Sequence, residues 1–585
     1  MDALDGALFN SGTIRAVLPV ARCLLLSLNL VLLASPTWFA RWFGGLTPYL
    51  IATALLLLTN IALVASWDGA ARADLSTPRA SRTISASFVF AVGLVLLAIV
   101  AAGQWLRQIL IFPIDSQRAD MLVVIQAGIH RLLQGKDPYA MYQVPWPATL
   151  PYGPVMWVPL VLPTLAHADI RLATLVGFLF VPCLCLFAAA DQWTRERRIA
   201  SIAWLVLLAS LALSADMRHF VSIGHTPAYW PLLALLAWLV AGERWDGAAL
   251  VTGLLIVART TMVSMAPVLL IAVWYRARPR FARTAGLLAA AFVLPFLPFA
   301  IWDWPALEYG LYGSYQAVIK GYVWTSTDWA QHTIGLTGTL LSHGWGRAVE
   351  IVQAVAMAGV YAACTAAVRA GRRPLPWFAF ALLAFSMTTL WPVSYIYLDV
   401  FLLCVAAAAA EIPWARTLGP ARAWMAVLAL SIAIAGLRVW TDIPLDPSID
   451  AGTDAARAFL YSGFSSDERQ GDVTFAWING SRGDVLIPRR SRRDAVIDIV
   501  CQPHLPTASA VQQLSASLNG TVIGTVTLKD GWQHVELAAP GRAWQIGVNE
   551  LTLFLSSAVS PQELGLSDDA RRLSLAVDRL MVRTP

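Results

Sequence analysis

The chain has 585 residues, of which 58% are hydrophobic and only 13% charged, and a mean hydropathy of +0.62; it reads as a polytopic membrane protein. The formal charge of +6 does not point to a nucleic-acid partner, because the arginines cluster in short turns between apolar runs, where they encode orientation. Of six cysteines, Cys23, Cys183, Cys185, Cys364 and Cys404 lie in apolar runs and Cys501 in a polar tail, and no disulfide framework or zinc spacing follows from them.

The first apolar run follows Arg15, contains Arg22 and Asn29, lacks a small-residue cleavage site and is followed by more spans. It reads as a membrane helix and not as a cleaved signal. Spans are expected near 15–34, 47–66 and 84–103, with Arg72, Arg79 and Arg82 inside. The polar stretch from Gln104 to Pro151 is thereby delivered to the outer face. Acids, His and Trp concentrate in it, and carboxylates held beside a membrane mark functional sites. Tyr152 to Leu165 is short and punctuated by proline, so it reads as a partial or interfacial helix.

Further spans are expected near 170–190, 199–214, 227–241, 284–302, 346–368, 375–391, 394–411 and 423–440. Three basic clusters then lie inside: Arg195, Arg197 and Arg198; Arg276, Arg278, Arg280 and Arg283; Arg369, Arg372 and Arg373. This parity requires Ala248 to Tyr275 to be a helical hairpin, with Arg259 in LLIVARTTMVSMAPVL at its outer turn. The total is about thirteen crossings of ~20 residues. Two more outer loops carry polar groups: Asp216 to Tyr229, with Arg218, His219 and His225, and a later loop with Lys320, His332 and the aromatics Tyr309, Tyr312, Tyr315, Tyr322, Trp324 and Trp329.

After about Thr441 charged residues, Gly and Asn replace the apolar runs, and a soluble, outward-facing domain begins near Asp450. Strand-like alternation is expected over Val473–Trp477, Ala495–Cys501, Leu514–Leu518, Thr521–Leu528, Trp532–Leu537, Glu550–Ser556 and Leu573–Val582, punctuated by Asn519-Gly520 and Asp530-Gly531. An all-β jelly-roll-like sandwich of roughly 130 residues is large enough to bury its own core. The division expected is a transmembrane domain over 1–440, with its outer loop at 104–151, and a β-sandwich over 441–585.

An acidic first large outer loop followed by Tyr/Pro-rich sequence resembles the layout of the GT-C glycosyltransferases, membrane enzymes that use polyprenyl-phosphate sugar donors. More narrowly, Asp120, the run to Leu133, Gly135-Lys136-Asp137-Pro138-Tyr139 and Tyr152-Gly153-Pro154 resemble the mannosyltransferase-type arrangement. The chain departs from the commonest form in carrying Val123, Val124 and Ile125 where an aromatic pair follows the aspartate. The resemblance covers about residues 84–440 and implies sugar transfer to a lipid or glycan acceptor on the outer side of a bacterial cytoplasmic membrane.

Direct displacement at an anomeric carbon needs a carboxylate to take the acceptor's proton. Asp120 is the candidate base and Asp115 the runner-up; either could instead cap the following helix. Asp137, just before Pro138, has the place of a turn former. The departing phosphate calls for positive charge, and Arg259 is the cation embedded in apolar sequence, with a structural ion pair as its other reading. Arg218, His219 and His225 could join it, and Gly224-His225-Thr226 resembles the family's short Gly-Gln-type turn. Asp137, Tyr139, Trp146, Tyr152, Lys320 and His332 are the expected acceptor and sugar contacts. No dedicated metal site is expected and no cofactor is implied, since Asp115 and Asp120 form no D-x-D and the histidines are scattered. The tail resembles the carbohydrate-binding-like sandwiches appended to some membrane glycosyltransferases. Trp532, His534 and Trp544 could form a sugar platform there, although their neighbours alternate like core positions. A lipid-glycan flippase or transporter and a glycan-binding assembly protein are the competing classes.

Overall fold

The computed structural model describes residues 109, 114, 120–142, 148–166, 169–194, 198–213, 227–318, 335–390, 396–410, 444–453, 456, 459–507 and 509–585. The expected spans at 15–34, 47–66, 84–103 and 423–440 lie outside them. The chain divides into two units, a helical one containing Ala119–Ile432 and a β unit containing Ala433–Pro585.

The helical unit is built from α1 (Asp120–Leu133), α2 (Pro154–Trp157), α3 (Arg171–Thr194), α4 (Arg198–Leu213), α5 (Trp230–Ala241), α6 (Trp245–Ala258), α7 (Met265–Arg276), α8 (Phe281–Val293), α9 (Val349–Arg369), α10 (Leu375–Met387) and α11 (Tyr397–Ala410), with shorter helical turns between them. Among the described residues one helix, Gly346–Arg369, is long and apolar enough to cross a membrane by length and composition; the other apolar helices have 10–17 residues. Large side chains such as Leu162, Ile199, Ile301, Ile351 and Val355 are exposed on these helices.

Side-chain pairs fix the directions of α6, α7 and α8. Arg276 at the end of α7 reaches Glu243, just before α6, at 3.8 Å, so the two helices run antiparallel. Asp246 at the start of α6 meets Arg283 at 3.2 Å and Thr284 at 3.1 Å near the start of α8. Further along, Gly253 lies against Leu288 and Ala291, so α6 and α8 run parallel. An added Cβ at Gly253 would stand 2.7 Å from the Leu288 carbonyl oxygen, the close approach that small residues allow between helices. Ala248 to Tyr275 is thus the expected hairpin, reversing at Arg259. Arg276 also donates to the carbonyls of Gly371 and Arg372 at 2.6 and 2.9 Å. Two basic turns therefore share one end of this unit, and Arg259 lies at the other.

The β unit is a sandwich of two antiparallel sheets. Its strands are β1 (Ser448–Asp450), β2 (Leu460–Ser462), β3 (Phe464–Gln470), β4 (Val473–Asn479), β5 (Arg482–Arg489), β6 (Ala495–Pro503), β7 (Gln512–Leu518), β8 (Thr521–Leu528), β9 (Gln533–Ala539), β10 (Gly547–Leu555) and β11 (Leu573–Arg583). One sheet has the order β3-β4-β11-β6-β9, with β1 also on β11; the other is β2-β5-β10-β7-β8. Alternate residues such as Ile497, Ile499, Val577 and Val582 from the first sheet meet Ile487, Leu514, Leu551 and Leu553 from the second in one apolar core. Asn519 and Gly520 both adopt positive φ (49° and 81°) in the two-residue β7–β8 hairpin, the backbone that Asn-Gly favours. Asp530-Gly531 instead carries the chain across from one sheet to the other.

At one edge Asp569 accepts hydrogen bonds from its neighbour's guanidinium and backbone, Arg571 Nη2 at 2.6 Å and N at 2.9 Å, while Arg571 Nη1 reaches Glu468 at 2.8 Å. The Arg571 side-chain bond is the main cause holding the Asp569 carboxyl down to about 2. Because the folded value lies below the unfolded one, the stability it contributes is complete above about pH 4 and lost as pH falls through about 2. Asp569→Asn is expected to flatten this part of an acid titration followed by near-UV circular dichroism, with wild type and variant diverging above pH 4 and converging below 2. Parallel curves across the range would show that the pair contributes nothing.

Candidate functional site

The loop after α1 is organised by the motif residues themselves. Gly135, with φ of 70°, ends the helix: its N–H donates to the Leu132 carbonyl at 2.9 Å and the Lys136 N–H to that of Arg131 at 2.9 Å, a Schellman stop. Asp137 Oδ1 accepts the Tyr139 N–H at 3.0 Å, an Asx turn, and the Asp137 carbonyl accepts from Arg131 Nε at 2.8 Å. Tyr139 then inserts into the unit. Its hydroxyl donates to the Tyr152 carbonyl at 2.9 Å and accepts from Trp157 Nε1 at 3.3 Å, and its ring meets Phe299 edge-on at 5.4 Å.

One expectation is corrected by this geometry. Tyr139 is 1% exposed and is a packing anchor, not a sugar contact, because both hydrogen-bonding capacities of its hydroxyl are used inside the unit. Asp137 forms the turn expected of it, at a half-buried position. Burial raises the Tyr139 phenol, and it stays a neutral donor.

Tyr152-Gly153-Pro154 joins this loop to the helices. The Tyr152 hydroxyl donates to Met121 Sδ, next to Asp120, and Pro154 opens α2 from its first turn. Gly153 lies directly on the last turn of α6. An added Cβ would stand 1.9 Å from the Val257 carbonyl oxygen, and backbone cannot yield as a side chain can. Gly153→Ala is therefore expected to destabilise the protein by about 3 kcal/mol, at the upper end of overpacking costs. The check is thermal unfolding in detergent; a variant melting with wild type would place the loop elsewhere.

Beyond Val257 the helix stops at Arg259, whose backbone is extended (φ −151°, ψ 126°) before the 3-10 turn Thr260–Ser264. Arg259 Nη1 donates to Asp399 Oδ2 at 3.0 Å and to the Tyr229 hydroxyl at 2.8 Å. Asp399, on the first turn of α11, also accepts from Tyr229 Oη at 2.8 Å and Trp230 Nε1 at 2.9 Å. Its side chain is 1% exposed and that of Arg259 14%. The ion-pair reading of Arg259 is thus realised, at the helix ends opposite the basic turns. Asp399, Tyr229 and Trp230 were not singled out in the sequence. The signal was present: Asp399 is an acid within an apolar run, and a cation in apolar sequence needs such a partner.

Asp120 is the first residue of α1. Asp115, Trp146, Arg218, His219, His225, Lys320 and His332 lie outside the described residues. Tyr309 and Tyr312, in contrast, are exposed on the turn Tyr309–Gly313. Among the described residues no group of three or more His, Cys, Asp or Glu is placed to hold a metal ion.

In the sandwich the three expected platform residues separate. Trp544 is buried, with its Nε1 donating to the Ala539 carbonyl at 3.2 Å and the fully buried Arg489 guanidinium 4.4 Å from its ring. His534 sits in an ionic cluster, where Asp498 meets it at 3.2 Å and Arg583 at 2.9 Å. Trp532 joins instead a run of rings along the first sheet, 5.7 Å from Phe475, which lies 5.9 Å from Trp477, itself 5.6 Å from His504.

No protein-family model matches the chain, and no curated protein matches it. Among solved structures, the C-terminal CBM6 of LamC, a marine laminarinase from Zobellia galactanivorans, aligns at 13% identity over 24% of this chain and 99% of that one, with a TM-score of 0.16, a likeness too slight to carry an argument.

Proposed function

We propose that this chain is an integral-membrane glycosyltransferase that moves a sugar from a polyprenyl-phosphate carrier to a lipid or glycan acceptor on the outer side of a bacterial cytoplasmic membrane. In this reading it crosses the membrane about thirteen times at ~20 residues each, Asp120 is the general base and Arg259 stands near the departing phosphate. The observation that carries the reading is a path of contacts at one end of the helical unit. Asp120 is followed by Met121, which meets Tyr152; Gly153 lies on Val257, two residues before Arg259; and the turn Pro227–Tyr229 packs on α2. This path links the start of α1 to the turn at Arg259, at the end away from the Arg276 and Arg372 turns, which the reading turns outward. The exposed apolar side chains of the helices suit lipid. The ring-lined face of the sandwich would hold acceptor glycan by stacking.

The test is transfer of radiolabelled sugar from a panel of polyprenyl-phosphate sugars to membrane lipid and glycan extracts by the purified chain. Labelled product from one donor supports the reading, and none from a broad panel with folded protein overturns it. A second reading, a lipid-glycan flippase, is favoured by the Asp399–Arg259 pair, since buried charges among helices also line transport paths. It would show itself as lipid-glycan movement across proteoliposomes without new glycosidic bonds.

A further inference from the structure

Asp399 stands behind the cation to which the reading above gives a role. Three segments converge on its carboxylate: the entry to α5 through Tyr229 and Trp230, the end of α6 through Arg259, and the start of α11, which carries it. Arg259 Nη1 is held between Asp399 Oδ2 and the Tyr229 hydroxyl, and that hydroxyl donates back to the same carboxylate, closing a triangle. Side-chain exposure rises from 1% at Asp399 to 14% at Arg259, so the carboxylate is the more deeply buried partner.

We propose that Asp399 is a positioning residue for sugar transfer, fixing the Arg259 guanidinium and the Tyr229 hydroxyl so that the guanidinium meets the donor's departing phosphate in one orientation. The inference rests on the glycosyltransferase reading. In that reaction the acceptor oxygen forms a bond to the anomeric carbon, the bond from that carbon to the phosphate oxygen breaks, and the acceptor's proton passes to Asp120. The phosphate goes from a singly charged diester to a polyprenyl monoester with a second negative charge. A cation already in place acts on that charge as it develops, without reorganising at the moment of reaction. Arg259 has a long side chain on an extended residue between two helices, and Asp399 supplies the fixed point. An ion pair kept for stability alone is often replaceable by apolar side chains of similar size without loss. The same tyrosine belongs to the turn that packs on α2, so Asp399 also ties Arg259 to the Tyr152-Gly153-Pro154 segment.

The experiment uses the full chain in nanodiscs with whichever polyprenyl-phosphate sugar of the panel is a donor. Asp399→Asn keeps the shape and removes the charge. It is expected to lower kcat/KM for the donor about 100-fold, corresponding to a loss of about 2.7 kcal/mol, with the acceptor KM unchanged. Asp399→Glu is expected to recover at least a tenth of wild-type activity. Arg259→Lys should fall comparably, and the double variant Asp399→Asn/Arg259→Lys should fall no further, because the carboxylate acts through the guanidinium. Additive losses, or Asp399→Asn turning over like wild type per folded molecule, would overturn the positioning role and leave the glycosyltransferase reading standing. Wild type that transfers from no donor overturns both. Should Asp399→Asn not fold, Asp399→Glu and Tyr229→Phe carry the test, and unchanged kcat/KM in both sinks the proposal.

Discussion

Asp120→Asn is expected to leave the protein folded and inserted while lowering sugar transfer by about 10²- to 10⁴-fold, the range a general base contributes. The substitution separates the two roles open to this residue. Asp120 is the first residue of α1, where an aspartate serves equally well as a helix-start group. Asparagine caps a helix about as well as aspartate and loses only the charge–dipole term, about 0.3–1 kcal/mol, so a cap alone would leave transfer near wild type. A base would not survive the change, since an amide cannot accept a proton at working pH. Alanine would confuse the matter by removing cap and base together. The measurement is kcat with the active donor, beside a thermal melt in the same detergent. Full turnover in Asp120→Asn moves the base to Asp115 or elsewhere, whereas a collapsed melt assigns Asp120 to the helix start.

Much of the sandwich was legible because its strands alternate. Thr521–Leu528 was read with its observed ends, and β4, β6, β7, β9, β10 and β11 were found within a few residues. The missed strands lack that signal for physical reasons. β5, between β2 and β10, is buried along nearly all its length and includes Pro488 and Arg489, so no polar face punctuates it. β3, Phe464–Gln470, is a polar edge strand that reads as loop. In the helical unit the basic turns foretold the hairpin at Arg259, which the Glu243–Arg276 pair displays. What one-dimensional reading did not supply was partnership. Asp399 lies 140 residues from Arg259, and nothing local says that the two charges meet. Tyr139 erred in the opposite direction: its motif drew it into the expected site, while its large ring and single hydroxyl suit a core anchor between Tyr152 and Trp157.

Breaking the Arg259–Asp399 pair from either side is expected to cost about 3–5 kcal/mol, because each single change removes the opposite charge from a buried or half-buried ion. Arg259→Met leaves a carboxylate, 1% exposed, that keeps Tyr229 and Trp230 as its donors among the described residues; Asp399→Leu takes from the Arg259 guanidinium the carboxylate it pairs with. Arg259→Met/Asp399→Leu should recover most of either loss, since similar apolar volume replaces both charges and no desolvated ion remains. Recovery will be incomplete. The Tyr229 hydroxyl and Trp230 indole keep their hydrogens and lose their acceptor, at about 1–3 kcal/mol for each buried donor left unmet. A double-mutant cycle of unfolding in mixed micelles reads the coupling directly, and additive losses would mean that the charges do not act as a pair. The same double variant separates stability from chemistry. If the pair serves only to hold helices together, restoring the fold restores transfer; if Arg259 faces the departing phosphate, the refolded Met/Leu protein has regained its helices and lost its cation, and kcat/KM stays low.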